Sequence, residues 1–176
     1  MFKQFSLIVL LLSFYAGICF PQENEVLHRV FLTGNLVDIS DIDAFNTKVE
    51  EVLSGYSDPY TIILNGDLVS GQPEESVADF DFPFKKFLKK FNNGNGKIII
   101  IPGDRDWGDS QDNGWKEVKK LEKYVKSLNY KNVSWAIKDG CPGPKTFDLG
   151  DHLMLLTINT QWWNHPFDKP SPTTGE

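Results

Sequence analysis

The stretch Lys97-Ile98-Ile99-Ile100-Ile101-Pro102-Gly103-Asp104-Arg105-Asp106-Trp107 decides how this chain folds. Four successive isoleucines without polar alternation read as a strand covered on both faces, which is the habit of parallel sheets. Two earlier runs end the same way. His28-Arg29-Val30-Phe31-Leu32-Thr33-Gly34 and Tyr60-Thr61-Ile62-Ile63-Leu64-Asn65-Gly66 are both β-rich and apolar, and both stop at a glycine.

Helical patterns fill the gaps. Asp41 is placed to cap a helix carrying Ala44, Phe45, Val49, Val52 and Leu53, and Gly55 ends the pattern. A polar loop follows the second strand, and beyond Pro83 the positions Phe84, Phe87, Leu88 and Phe91 predict another helix. After the third strand, Trp115, Val118, Leu121, Val125 and Leu128 recur at helical spacing, with Lys116, Lys119, Lys120, Glu122, Lys123 and Lys126 on the wet side. The order βαβαβα predicts an α/β domain with a parallel sheet. Residues 145–149 and 152–159, joined at Gly150-Asp151, predict a hairpin that either extends this sheet or begins another. The tail 169–176, with two prolines and a glycine, reads as loop. Asn132-Val133-Ser134 fits a glycosylation sequon.

The 176 residues suit one domain, and 40% apolar with 13% aromatic residues is the composition of a folded chain. A net charge of −6, from 18 Lys+Arg against 24 Asp+Glu, supplies no electrostatic footprint for nucleic acid or an anionic membrane. Residues 1–20 read as a signal peptide. Lys3 precedes an apolar run from 5 to 16 that is short for a permanent span, and the small residues Gly17 and Cys19 place cleavage near Cys19 or Phe20. An uncleaved N-terminal anchor is the alternative. Either way the protein is expected outside the cytoplasm: periplasmic, extracellular or at the cell surface. With Cys19 in the leader, Cys141 stands alone, so stability must come from burial.

In open α/β sheets, ligands collect beyond the carboxyl ends of the strands. Here those ends read Gly34-Asn35-Leu36-Val37-Asp38, Gly66-Asp67 and Gly103-Asp104-Arg105-Asp106. Each glycine admits a sharp turn, and each following side chain offers an oxygen to one rim. Converging carboxylates repel unless a cation joins them, and oxygen-rich rims suit hard or borderline divalent ions. The plainer reading is that Gly-Asn and Gly-Asp only make turns.

Gly34-Asn35, Gly66-Asp67 and Pro102-Gly103-Asp104-Arg105-Asp106-Trp107, in this order, resemble the first three blocks of the calcineurin-like metallophosphoesterases. Gly140-Cys141-Pro142-Gly143-Pro144 and Ile158-Asn159-Thr160-Gln161-Trp162-Trp163-Asn164-His165-Pro166 resemble stretches of a secreted bacterial branch of that family. The resemblance implies the N-terminal half of a metallo-dependent phosphatase-like α/β/β/α sandwich over residues 28–176, with the second half missing. It implies two divalent ions (Mn, Fe or Zn), a phosphate-ester small molecule as substrate, and Asn35, Asp67 and Asp104 as metal ligands. Asp67 would bridge the ions. Asn35 and Asp104 exchange the amide and the acid that the family places there, and Asn159 replaces an Asp usual in this branch. Arg105 stands where a leaving-group histidine is expected; a guanidinium neither ligates nor donates a proton near neutral pH, yet it can hold a phosphate. Asp38, Asp106 and His165 are candidates for supporting the site or touching a ligand. His28 and His152 read as structural, and the tryptophans as core. Two functional readings follow: an exported metal-dependent phosphoesterase, or a non-catalytic relative serving as an anion-binding or interaction module.

Overall fold

In the computed structural model the described residues are 26, 28–69, 83–92 and 94–171. The expected signal peptide over 1–20, the stretch 70–82 read above as a polar loop, and residues 172–176 of the tail lie outside them.

Four strands form a parallel sheet: β1 (Arg29–Thr33), β2 (Tyr60–Asn65), β3 (Lys97–Ile101) and β4 (Val133–Trp135), in that order across the sheet. Helices alternate with them: α1 (Ile42–Ser54), α2 (Pro83–Phe91) and α3 (Gly114–Ser127). The chain is thus α/β, with a parallel sheet and intervening helices as the apolar runs predict. Asp41 caps α1, its Oδ1 accepting from the N–H of Ala44 at 2.9 Å. The strand β4 was not foreseen, because three residues with a serine between two large apolar ones show no run.

All three helices lie on one face of the sheet. Ile62 and Leu64 of β2 and Ile98 and Ile100 of β3 point into that layer, where they meet Leu53 of α1, Phe84, Phe87, Leu88 and Phe91 of α2, and Leu121 and Val125 of α3. Phe84, Phe87 and Leu88 are completely buried; each such side chain stabilises the fold by roughly 1.5–3 kcal/mol relative to exposure.

The predicted hairpin is β5 (Lys145–Asp148) with β6 (Met154–Thr157), and it begins a second, two-stranded antiparallel sheet. It packs on the opposite sheet face, where Phe147, Leu149 and Leu155 meet Ile99, Ile101 and Ile137 in a smaller core that includes Cys141. A short helix, α4 (Gln161–Asn164), follows.

Three expectations need correction. Glu122 is buried, not wet: its carboxylate accepts from the N–H of Asp139 at 2.7 Å and pairs with Lys126, tying α3 to the turn after β4. Trp163 is 56% exposed and is no core residue, whereas Trp107 is fully buried and Trp162 hydrogen-bonds the carbonyl of Pro170. His152 is exposed in the hairpin turn and makes no strand. His28 does support the sheet, bonding Thr61 at 3.0 Å. The sequon Asn132 spends its Nδ2 on the carbonyls of Phe91 and Gly96, a bracing role. No helix among the described residues is long and apolar enough to cross a membrane.

Candidate functional site

The strand ends meet because their glycines let two backbones touch. A Cβ on Gly66 would sit 2.7 Å from the Cα of Gly103, and one on Gly103 would sit 2.5 Å from Oδ1 of Asp67. Both are closer than any side chain tolerates. Gly66 has φ +80°, and Asp67 follows at φ 55°, in the left-handed region where Asn and Asp are among the few tolerated side chains. This geometry turns Asp67 back toward the loop after β3.

Asp67 and Asp104 therefore lie side by side. Burial raises the pKa of Asp67, and a hydrogen bond and charge contact with the Asp104 carboxyl raise it further, against the pull of the Arg105 N–H. Both line a polar cleft of about 380 Å³ together with Asn65, Thr160, Gln161 and Asn164. The last three belong to the Trp-Trp segment, and Gln161 is itself held by Ser110. Asn65 was not singled out by sequence reasoning, and Thr160, Gln161 and Asn164 were noted only as part of a family-like stretch, without a place in the site. Asn65 stands directly before a strand-end glycine, which was the available signal; for the others the family-like stretch was the signal, and only folding brings them beside the ends of β2 and β3.

Asn35 belongs to a neighbouring arrangement. Its N–H bonds the carbonyl of Gly66 at 2.9 Å, so its loop is docked on the second one, but its side chain turns to Asp38 and does not line the cleft. Asp38 also accepts from Nη1 of Arg105 at 2.7 Å. Arg105, with Asn35 adding its amide, holds the Asp38 carboxyl below the usual range. The first and third loops are thus latched by an exposed ion pair beside the cleft.

Asp106 lies under the site. It is buried, and its carboxylate accepts from the N–H groups of Leu68 at 2.9 Å, Val69 at 3.1 Å and Gly103 at 2.8 Å. It knots the second loop to the third. Burial pushes its pKa up to about 7, opposed by those three donors. His165 is farther away: it is completely buried against Trp107, ring centroids 5.0 Å apart, with neither ring nitrogen hydrogen-bonded to protein. Burial and the nearby charge of Lys169 lower its pKa. It shapes the floor under Trp107 and does not reach the cleft lining.

The donor chemistry can be matched to metal ions. Two touching carboxylates with amide and hydroxyl oxygens around them are a hard-oxygen set for one divalent cation, whose charge would remove the conflict between Asp67 and Asp104. Among the described residues, no three His, Cys, Asp or Glu stand together as a metal-holding group.

Comparison of the chain with protein-family models, curated proteins and solved structures gives no match in any of the three.

Proposed function

We propose that this chain is an exported protein of calcineurin-like metallophosphoesterase type, whose strand-end cleft holds a divalent cation between Asp67 and Asp104 and binds a phosphate ester against it. The observation that carries this reading is the contact of those two carboxylates across the Gly66–Gly103 approach, with Asp67 raised by its neighbour. Such an arrangement costs free energy without a cation or a shared proton. The α/β/β/α sandwich plan belongs to the same proposal and is supported by the second sheet packed on the face opposite the helices.

The chemistry supplied by a bound divalent cation is polarisation of a phosphoryl oxygen and activation of water. The residues of the chain do the rest. The N–H of Arg105 fixes the Asp67 carboxylate, Asp106 holds the loops on which Asp67 and Asp104 sit, and Thr160, Gln161 and Asn164 close the far wall. Arg105 spends Nη1 on Asp38, which leaves its other N–H donors for a phosphate at the rim.

A second reading, a non-catalytic module that binds an anion at the same rim, is favoured by the latching of Arg105 and Asn35 onto Asp38 and by the absence of imidazole from the cleft lining. Metal analysis of the purified protein and hydrolysis of an aryl phosphate with added Mn²⁺ or Zn²⁺ separate the two. Metal-dependent turnover that disappears in Asp67→Ala establishes the enzyme. Phosphate binding without turnover establishes the module, and neither bound metal nor bound phosphate refutes both.

A further inference from the structure

Resting on the phosphoesterase reading of the cleft, we propose that the ester it takes is a sugar or polyol phosphate, and that Gln161, aimed by Ser110, selects the hydroxyl groups of the alcohol part. Gln161 is only 6% exposed and still lines the cleft. Its Nε2 donates to Oγ of Ser110 at 2.9 Å. Among the described residues, none donates to its Oε1. The amide is thus pinned through its nitrogen, and its acceptor is the atom left for a ligand.

The turn that presents Ser110 is strained. Gly108, Asp109 and Ser110 follow one another at φ 66°, 52° and 61°, a left-handed run that costs free energy at the two residues other than glycine. The N–H of Asp109 donates to the carbonyl of Asp104 at 3.0 Å. One loop therefore carries Asp104 to the cleft and brings Ser110 to Gln161.

An acceptor without a partner calls for a ligand that brings a donor. The oxygens of an ionised phosphate are themselves acceptors, so they belong with the cation and the Arg105 donors and not with Gln161. The donor must then sit on the alcohol part of the ester. An ammonium group there would want a carboxylate or an aromatic face, and a nucleobase would want a ring to stack on. Among the described residues lining the cleft, Asp67 and Asp104 are the carboxylates, taken in this reading by the cation, and no side chain is aromatic. The wall offers instead the amides of Asn65 and Asn164 and the hydroxyl of Thr160. Each can both donate and accept, which is the match for a hydroxyl group. An alkyl or aryl alcohol would leave these groups without partners, the loss by which hydrogen-bonding sites reject analogues that lack a hydroxyl. At about 380 Å³ the cleft is near the small end of small-molecule sites, which suits one sugar ring or a short polyol.

The test uses the full chain with Mn²⁺ and reads dissociation constants by calorimetry for matched pairs: glucose 6-phosphate against hexyl phosphate, and glycerol 3-phosphate against propyl phosphate. At least one hydroxylated member should bind about tenfold or more tightly than its match. Gln161→Leu keeps the bulk and removes the amide, and should cut that ratio about tenfold. Ser110→Ala leaves the amide but releases it, and should cut the ratio in the same direction; circular dichroism checks that both variants fold. Inorganic phosphate, run beside these ligands, separates this inference from the reading beneath it. If inorganic phosphate binds with Mn²⁺ and neither pair shows a preference, the sugar or polyol assignment is overturned while the phosphoesterase reading stands. If neither Mn²⁺ nor inorganic phosphate binds, both fall. A ratio unchanged in Gln161→Leu, with or without a loss of Mn²⁺ binding, removes Gln161 from hydroxyl recognition and overturns the proposal.

Discussion

Replacing Asp106 by asparagine tests the account of the knot beneath the cleft, because the change keeps shape and removes charge. Oδ1 can still accept from Leu68 and Val69, but the atom facing the Gly103 N–H becomes a donor. At acid pH, where the native carboxyl is protonated in both states, the variant should lose about 1–3 kcal/mol for that unsatisfied N–H. The pH dependence then has a definite sign. With a folded pKa of about 7 against the ordinary 3.8, the native protein holds a proton that the unfolded chain has released throughout that interval. Its stability therefore falls as pH rises from about 4 to 7, by up to about 4 kcal/mol. Asparagine does not titrate. The deficit of Asp106→Asn should shrink with rising pH and vanish or reverse near pH 8. Urea denaturation of both proteins in EDTA, at pH 4, 5.5, 7 and 8, measures it. A deficit that stays level or grows toward pH 8 would mean that the three N–H donors outweigh burial and hold the carboxylate ionised, and the reasoning would fail.

Three further outcomes are expected. Gly103→Ala places a methyl 2.5 Å from Oδ1 of Asp67 and 2.8 Å from the Cα of Gly66, so it should cost roughly 1–3 kcal/mol in denaturant melts and lower Mn²⁺ binding, both measurable on one preparation. His165 has a lowered pKa, so the folded state resists a proton that the unfolded state takes up as pH falls through 6.5; native stability should decline below that pH, and the His165→Phe profile should lack this decline. An equal acid loss in both proteins would show that another group is responsible. Asn35→Asp combined with Arg105→His should raise metal content by calorimetry or elemental analysis if those exchanges are what weaken the site; unchanged metal would place the deficit in the donors around Asp67 and Asp104.

The sheet was legible because Ile98 to Ile101 and Ile62 to Leu64 are apolar runs whose burial on both faces leaves a plain mark on the sequence. The helices were legible through their stripes, and Asp41 through its capping chemistry. Pairing of Asp67 with Asp104 was also foreseen, since both follow strand-end glycines in adjacent parallel strands. What could not be read was direction. Asn35 follows a glycine just as they do, but its left-handed backbone sets a 3₁₀ turn whose side chain meets Asp38 and not the cleft. Arg105 and Asp38, 67 residues apart, reveal their bond only in space. Asp106 was read as supporting the site or touching a ligand, and spacing along a loop could not say which; its three N–H donors give it the supporting place. Glu122 was misplaced for a related reason: its burial depends on the N–H of Asp139, a partner outside the helix.

One core runs from Phe31 in β1 to Trp135 in β4 without a break. No N-terminal piece can therefore shut out water until β4 has been made. From the synthesis of Phe91 to that of Trp135 the ribosome needs roughly 2–9 s at ~5–20 residues per second. For that interval the phenylalanines of α2 lack the α3 and β4 part of their apolar surroundings.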